Sequence, residues 1–228
     1  MKAIVFDKDG VLLDMEATWH KAAWVLCRSL AKLSPDSHKA EFFANLFGIT
    51  SSGFDAEYSL FVSGSQSQMH ALVQEYIPAV SDIRVRSAIE QEMFQACCPT
   101  PLGDVKGAIT NLSKAGYRLG VLTNDRAEFT HYCLRKIGIE SLISVVIAAD
   151  SGYGAKPDPK GLLAACEQLE VPPSETVMVG DSQADFEAAN RAGVAEFIGV
   201  SAEYPNATPA LMGAKKLVPD ITGLLALL

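Results

Sequence analysis

The sequence predicts an α/β fold, a parallel-sheet core interrupted by an all-helical domain. Three observations carry this. Five short runs rich in Val and Ile, each ending in small or polar residues, have the make-up of strands buried on both faces. Beyond residue 115 the runs alternate with stretches of helical periodicity, the pattern of a sheet whose strands are joined by crossover helices. More than a hundred residues separate the first run from the second, far more than one crossover needs.

The first strand is expected at Ala3–Phe6, closed by Asp7. From Glu16 to Cys97 no Val/Ile strand is evident. Helical patterns there cover Ala17–Leu33 and Ile83–Cys97, with breaks at Ser34-Pro35, Gly48, Gly53 and Gly64. This assigns 16–97 to an inserted helical domain and 1–15 with 98–228 to the sheet domain, linked through Asp14–Met15 and through Cys98–Gly103 with its two prolines. The remaining strands are expected at Arg118–Thr123, Ser144–Ala149, Thr176–Gly180 and Glu196–Val200. The helices between them are expected at Ala127–Ile137, Pro159–Leu169 and Ala184–Ala192. Gly116 and Gly193 sit where helix C-caps belong, and Asp158-Pro159 reads as an N-cap followed by a first-turn proline.

Composition narrows the function classes. Of 228 residues 49% are hydrophobic, enough to bury a core, and 27 acidic against 19 basic residues give a net charge of −8. Such a surface repels polyanions, so no nucleic-acid or anionic-membrane partner is expected, and any phosphate must meet a local cationic site. The five cysteines are odd in number and form no CxxC or Cys/His cluster, as for reduced thiols in the cytoplasm. The apolar start is cut short by Asp7, Lys8 and Asp9, and no apolar run is long enough for a membrane span.

In an open parallel sheet, function gathers beyond the carboxyl ends of the strands. Here those positions hold Asp7 and Asp9, then Thr123 and Asn124, then Lys156, then Asp181 and Asp185. Four carboxylates at one sheet edge repel one another, and a hard divalent cation with oxygen ligands, Mg²⁺ rather than Ca²⁺, relieves that repulsion. Taken one by one the residues have plainer readings. Asp7 and Asp9 before Gly10 suit a turn, Ser182-x-x-Asp185 suits a capping box, Thr123-Asn124 suits a helix cap, and Lys156 suits a solvated loop.

Phe6-Asp7-Lys8-Asp9-Gly10-Val11-Leu12-Leu13-Asp14 resembles the first motif of the haloacid dehalogenase-like hydrolases. Val121-Leu122-Thr123-Asn124, Gly154-Ala155-Lys156-Pro157-Asp158-Pro159 and Gly180-Asp181-Ser182-Gln183-Ala184-Asp185 resemble the second, third and fourth. The resemblance covers 1–15 and 98–200, and the insert matches the family's helical cap in position and size. It implies a Rossmann-like core and a Mg²⁺-dependent reaction on a small phosphorylated metabolite. Asp7 would be nucleophile and metal ligand, and Asp9 acid/base, with its backbone carbonyl on the metal. Thr123, Asn124 and Lys156 would hold the phosphoryl group, and Asp181 and Asp185 would ligate the metal. By the same resemblance His20 is a candidate substrate contact, although it equally suits an ordinary helix face; the Gly/Ser composition of Gly48–Gly53 suits a loop that closes over and contacts substrate, and equally any turn between helices.

Three positions depart from the family pattern: Lys8 replaces an apolar residue, Val11 a threonine and Met15 a small hydroxyl. Asp9 is present, and the dehalogenase and phosphonate-cleaving members of the family lack it, so ester hydrolysis is expected, phosphoglycolate phosphatase-like. The alternatives are a β-phosphoglucomutase-like transfer and a non-catalytic binding protein on the same fold. Transfer is disfavoured because Gly48 to Tyr58 contains no Lys or Arg to grip a second phosphate, although Lys39, Arg84 and Arg86 lie elsewhere in the insert.

Overall fold

A computed structural model describes residues 2–55, 59–63, 66–201 and 214–228. The expected break at Gly64 and the end of the Gly48–Tyr58 loop lie outside those residues. The chain forms two compact units, 1–14 with 100–228, and 15–99. The boundaries fall at Asp14/Met15 and Pro99/Thr100 instead of 15/16 and 97/98. Helix α1 (Met15–Leu33) already begins at Met15, and the Asp14 N–H donates to the Thr100 carbonyl at 2.9 Å, tying both chain crossings to the sheet unit.

The sheet unit holds β1 (Ala3–Phe6), β2 (Arg118–Leu122), β3 (Val145–Ile147), β4 (Thr176–Gly180), β5 (Glu196–Val200) and β6 (Lys216–Val218). Their order is β3-β2-β1-β4-β5-β6, and every neighbouring pair is parallel. Strands β1, β4 and β5 coincide with the expected runs, and β2 and β3 end short of theirs. Strand β6 escapes the sequence reading: it is three residues long, holds Lys216, and among the described residues pairs only with β5.

Side-chain alternation gives the sheet two apolar faces. Ile4 and Phe6 with Val121, Val179 and Ile198 pack against Val105, Ile109 and Leu112 of α6 (Val105–Lys114). Ala3 and Val5 with Leu122 and Met178 pack against Leu162 and Ala165 of α8 (Lys160–Gln168) and Ala189 of α9 (Gln183–Ala192). Helix α7 (Ala127–Lys136) follows β2. Gly193 caps α9 with φ +68°, while α6 ends at Lys114 and is capped by Ala115, one residue before Gly116. Helix α8 starts after Pro159, one residue later than expected, and Asp158 still accepts the Lys160 N–H at 3.0 Å.

The second unit is helical: α1 (Met15–Leu33), α2 (Ala40–Phe47), α3 (Leu60–Ser63), α4 (Gln66–Tyr76) and α5 (Ile83–Ala96). Ala23, Cys27 and Leu30, spaced three and four apart on α1, meet Phe43 and Phe47 of α2, Val73 of α4 and Ile89 of α5 in one core. No helix among the described residues is long and apolar enough to cross a membrane.

Candidate active site

Strand β1 sits at the sheet's switch point. From it the chain moves outward to β2 and β3 on one side, then returns to lay β4, β5 and β6 on the other. Such a point opens a crevice at the strand ends. The Asp7 N–H continues the ladder to the Val179 carbonyl at 2.8 Å, fixing the first residue beyond β1. The chain then folds back on itself. The N–H groups of Leu12 and Leu13 both donate to the Lys8 carbonyl at 2.9 Å, and the Gly10 N–H donates to the Leu13 carbonyl at 2.8 Å. Val11 and Leu12 are fully buried in the core and anchor this loop, so the position that a threonine commonly holds serves here as an apolar plug.

Gly10 is required twice. Its φ is +72°, and a Cβ placed on it would lie 2.0 Å from Asp181 Oδ2. The loop after β1 can therefore approach the end of β4 only with no side chain here. Gly180 plays a similar part, because a Cβ there would lie 2.4 Å from the Cβ of Asp185.

These close approaches assemble the carboxylates. Oxygens of Asp7, Asp181 and Asp185 all lie within 4.8 Å of one another. Asp7 is 9% exposed and Asp185 fully buried, and the Lys156 ammonium bridges them, 2.6 Å from Asp7 Oδ1 and 2.7 Å from Asp185 Oδ1. Burial and the neighbouring Asp185 raise the Asp7 pKa from 3.8 to about 7, against the opposing pull of Lys156. Burial alone would lower the Lys156 pKa, but Asp185 and Asp7 outweigh it and the net shift is upward. One cation against three carboxylates leaves the cluster rich in negative charge and in hard oxygen donors, which fits a small divalent cation.

Asp185 has two tasks. With Ser182 it completes a capping box on α9: Asp185 Oδ2 accepts from the Ser182 N–H at 3.1 Å and from its hydroxyl at 2.6 Å. Its other oxygen faces Lys156, so the cap and the carboxylate cluster share one side chain.

The haloacid dehalogenase-like hydrolase family matches residues 1–193, spanning all four of these strand ends. The chain belongs to this family. It is 26% identical over 219 residues to the N-acetylmuramic acid 6-phosphate phosphatase of Pseudomonas aeruginosa, covering 96% of this chain and 90% of the relative. It is 35% identical over 124 residues to the plasmid phosphoglycolate phosphatase of Cupriavidus necator, where the match spans 54% of each chain. The solved structure of CbbY from Rhodobacter sphaeroides, in complex with phosphate, shares the fold at TM-score 0.73 and 21% identity, covering 98% of this chain and 96% of that one.

Other hydrolase-motif residues lie around the cluster. Thr123 is 4% exposed, and its Oγ1 accepts the Asp125 N–H at 3.1 Å. The helix-cap reading of Thr123-Asn124 does not hold, because α7 begins only at Ala127 with Arg126 at its N-cap; the Asp125 carbonyl accepts the Ala149 N–H at 2.8 Å, keeping this loop beside the end of β3. The Asn124 side chain clasps Lys156, Oδ1 accepting its N–H at 2.7 Å and Nδ2 donating to its carbonyl at 3.2 Å. The Asp9 carboxylate stands outside the cluster and meets Lys8.

His20 and Gly48 belong to the helical unit. His20 Nε2 lies 2.9 Å from the Thr50 carbonyl, and the Trp24 indole N–H lies within reach of both. The ring thereby fastens a tight turn in which Thr50 Oγ1 accepts the Gly53 N–H at 3.0 Å. Gly48 is the left-handed C-cap of α2, φ +67°, with Ser59 Cα 2.7 Å from where a Cβ would stand.

The residues that sequence reasoning missed are Asp125 and the buried face of Lys8. Asp125 follows the Thr123-Asn124 motif directly, and a charge at that offset was the available signal.

Proposed function

We propose that the chain is a Mg²⁺-dependent phosphatase of small-metabolite phosphate monoesters, working through an aspartyl-phosphate on Asp7. The observation that carries this reading is the pairing of a buried carboxylate, Asp7, set in the Asp181/Asp185/Lys156 cluster, with a second carboxylate, Asp9, two residues on and outside it. The two named relatives, one a phosphoglycolate phosphatase and the other an N-acetylmuramic acid 6-phosphate phosphatase, support the substrate class.

Asp7 Oδ1 accepts from the Lys8 N–H at 2.7 Å and from Lys156, and these donors draw charge from it, so Oδ2 is the attacking atom. As Oδ2 bonds to phosphorus, the ester P–O bond breaks and its electron pair stays on the leaving oxygen, which takes a proton from the Asp9 carboxyl. Asp9, now a carboxylate, removes a proton from water as that water attacks the phosphoryl group, freeing inorganic phosphate and restoring Asp7. Lys156 and the Thr123 hydroxyl balance charge on the phosphoryl oxygens, where their contribution counts most in the transition state. Asp7, Asp181, Asp185 and the Asp9 carbonyl would hold Mg²⁺, which when bound would keep the clustered carboxylates ionised and polarise the phosphoryl group.

The test is phosphate release from a panel of phosphorylated metabolites that includes 2-phosphoglycolate and N-acetylmuramic acid 6-phosphate, with Mg²⁺ and with EDTA. Release that depends on Mg²⁺ supports the reading, and no release from any member ends it. Incubation with β-glucose 1-phosphate and a trace of glucose 1,6-bisphosphate separates hydrolysis from transfer. Free phosphate is expected, since Gly48 to Tyr58 holds no cation, whereas glucose 6-phosphate without free phosphate would establish the mutase.

A further inference from the structure

We infer that Lys8 is the positioning residue for Asp9: its buried ammonium, anchored on Asp125, fixes the Asp9 carboxylate in the orientation from which it exchanges protons with the leaving group and water. The inference rests on the phosphatase reading above. The Lys8 side chain is fully buried, with Nζ 2.5 Å from Asp9 Oδ2 and 2.9 Å from Asp125 Oδ2. The Asp9 side chain keeps 24% of its exposure, so the carboxylate is gripped from the buried side and stays open to solvent on the other.

The anchor is itself fixed. Asp125 donates its N–H to Thr123 Oγ1 at 3.1 Å and accepts the Ala149 N–H on its carbonyl at 2.8 Å, so its backbone is tied to the ends of β2 and β3. Position is thus carried from two sheet strands, through one ammonium, to a carboxylate on a third.

Stability gives a poor reason for this arrangement. An apolar side chain of similar volume commonly serves a buried site as well as an ion pair does. What the ion pair adds is direction, and an acid/base group needs to be held close to its productive geometry.

Leaving-group chemistry separates positioning from mere structure. An alkyl phosphate must have its departing oxygen protonated, while p-nitrophenyl phosphate releases a stable anion that needs no proton. For Lys8→Met, the ratio of kcat/KM on the alkyl ester to that on the aryl ester is expected to fall about tenfold or more, a part of what general acid catalysis supplies. Asp125→Asn keeps the shape of the anchor and should shift the ratio the same way by less, which also covers the case in which Lys8→Met does not fold. In an Asp9→Asn background, Lys8→Met should add nothing on the alkyl ester. Equal losses on both esters in the folded variants, or a full further loss in the Asp9→Asn background, would overturn the inference. A wild-type chain that hydrolyses neither ester would instead bring down the phosphatase reading, and the inference with it.

Discussion

Asn124 holds Lys156 by both of its backbone groups, accepting the N–H at 2.7 Å and donating to the carbonyl at 3.2 Å. The lysine that bridges Asp7 and Asp185 is therefore set by a side chain on the neighbouring strand end, across a sequence gap of 32 residues. Asn124→Ala removes both bonds and frees the loop carrying Lys156. Turnover is expected to fall about 10- to 100-fold, the usual cost of a small misplacement of a reacting group. Steady-state kinetics check it, and an unchanged kcat would show that the clasp is dispensable.

The pKa of Asp7 makes stability depend on pH in the metal-free protein. An acid raised from 3.8 to about 7 binds more protons folded than unfolded between those values. Its contribution to stability is therefore complete below pH 3.8 and is lost as pH rises through about 7. Asp7→Asn removes that dependence. In EDTA the variant should gain melting temperature relative to wild type as pH is raised across this window, and Mg²⁺ should shrink the difference by favouring the ionised wild-type cluster. The same variant should retain the wild-type circular dichroism spectrum and release no phosphate. A gain in the opposite direction would mean that Lys156 dominates Asp7.

Asp181 and Asp185 should separate under mutation although both lie in the cluster. Asp181 is partly exposed, whereas Asp185 is fully buried, caps α9 through Ser182 and pairs with Lys156. Asp181→Ala is expected to weaken the Mg²⁺ response of activity while leaving the metal-free melting temperature close to wild type. Asp185→Ala strips a buried cation of one partner and opens a helix cap, at a cost of about 3 kcal/mol or more. Denaturant unfolding in EDTA measures both, and equal stability of the two variants would remove the structural role of Asp185.

How much of this was legible depends on the range of the forces involved. Strands β1, β4 and β5 could be read because a parallel strand covered on both faces is apolar over most of its length, and Val177–Gly180 and Phe197–Val200, behind the polar leading residues Thr176 and Glu196, show this locally. Strand β6 could not, because Lys216–Val218 is held by β5 and by a Lys216–Glu196 ion pair 3.0 Å long, and neither is visible in three residues. The Asp7/Asp181/Asp185 grouping was foreseeable since strand ends of one sheet converge. In the sequence Lys8 shows only as a charge where the family pattern has an apolar residue. Its burial depends on Asp125 arriving from another strand, a tertiary contact with no periodic signature. Ser182-x-x-Asp185 left cap and cluster as rival readings, and the structure has Asp185 serve both.

The strictest demand in the site falls on a residue with no functional group. Gly10 holds a left-handed φ of +72° and leaves no room for a Cβ beside the Asp181 carboxylate. Gly10→Ala therefore brings two penalties. The left-handed conformation costs an L-residue ~1–2 kcal/mol, and the methyl group must push Asp181 away or lift the loop that carries Asp9. Either movement widens the cluster, so the Mg²⁺ concentration for half-maximal activity should rise about tenfold or more, since a metal site depends on its ligands being held in place. Gly116→Ala is the matched control: its φ is +91°, and nothing lies within 4 Å of its absent Cβ. It should show the backbone penalty in its melting temperature with no change in Mg²⁺ dependence. Titrating both variants with Mg²⁺ checks the pair, and matching responses would show that strain alone, and not the closeness of Gly10 to Asp181, explains the glycine.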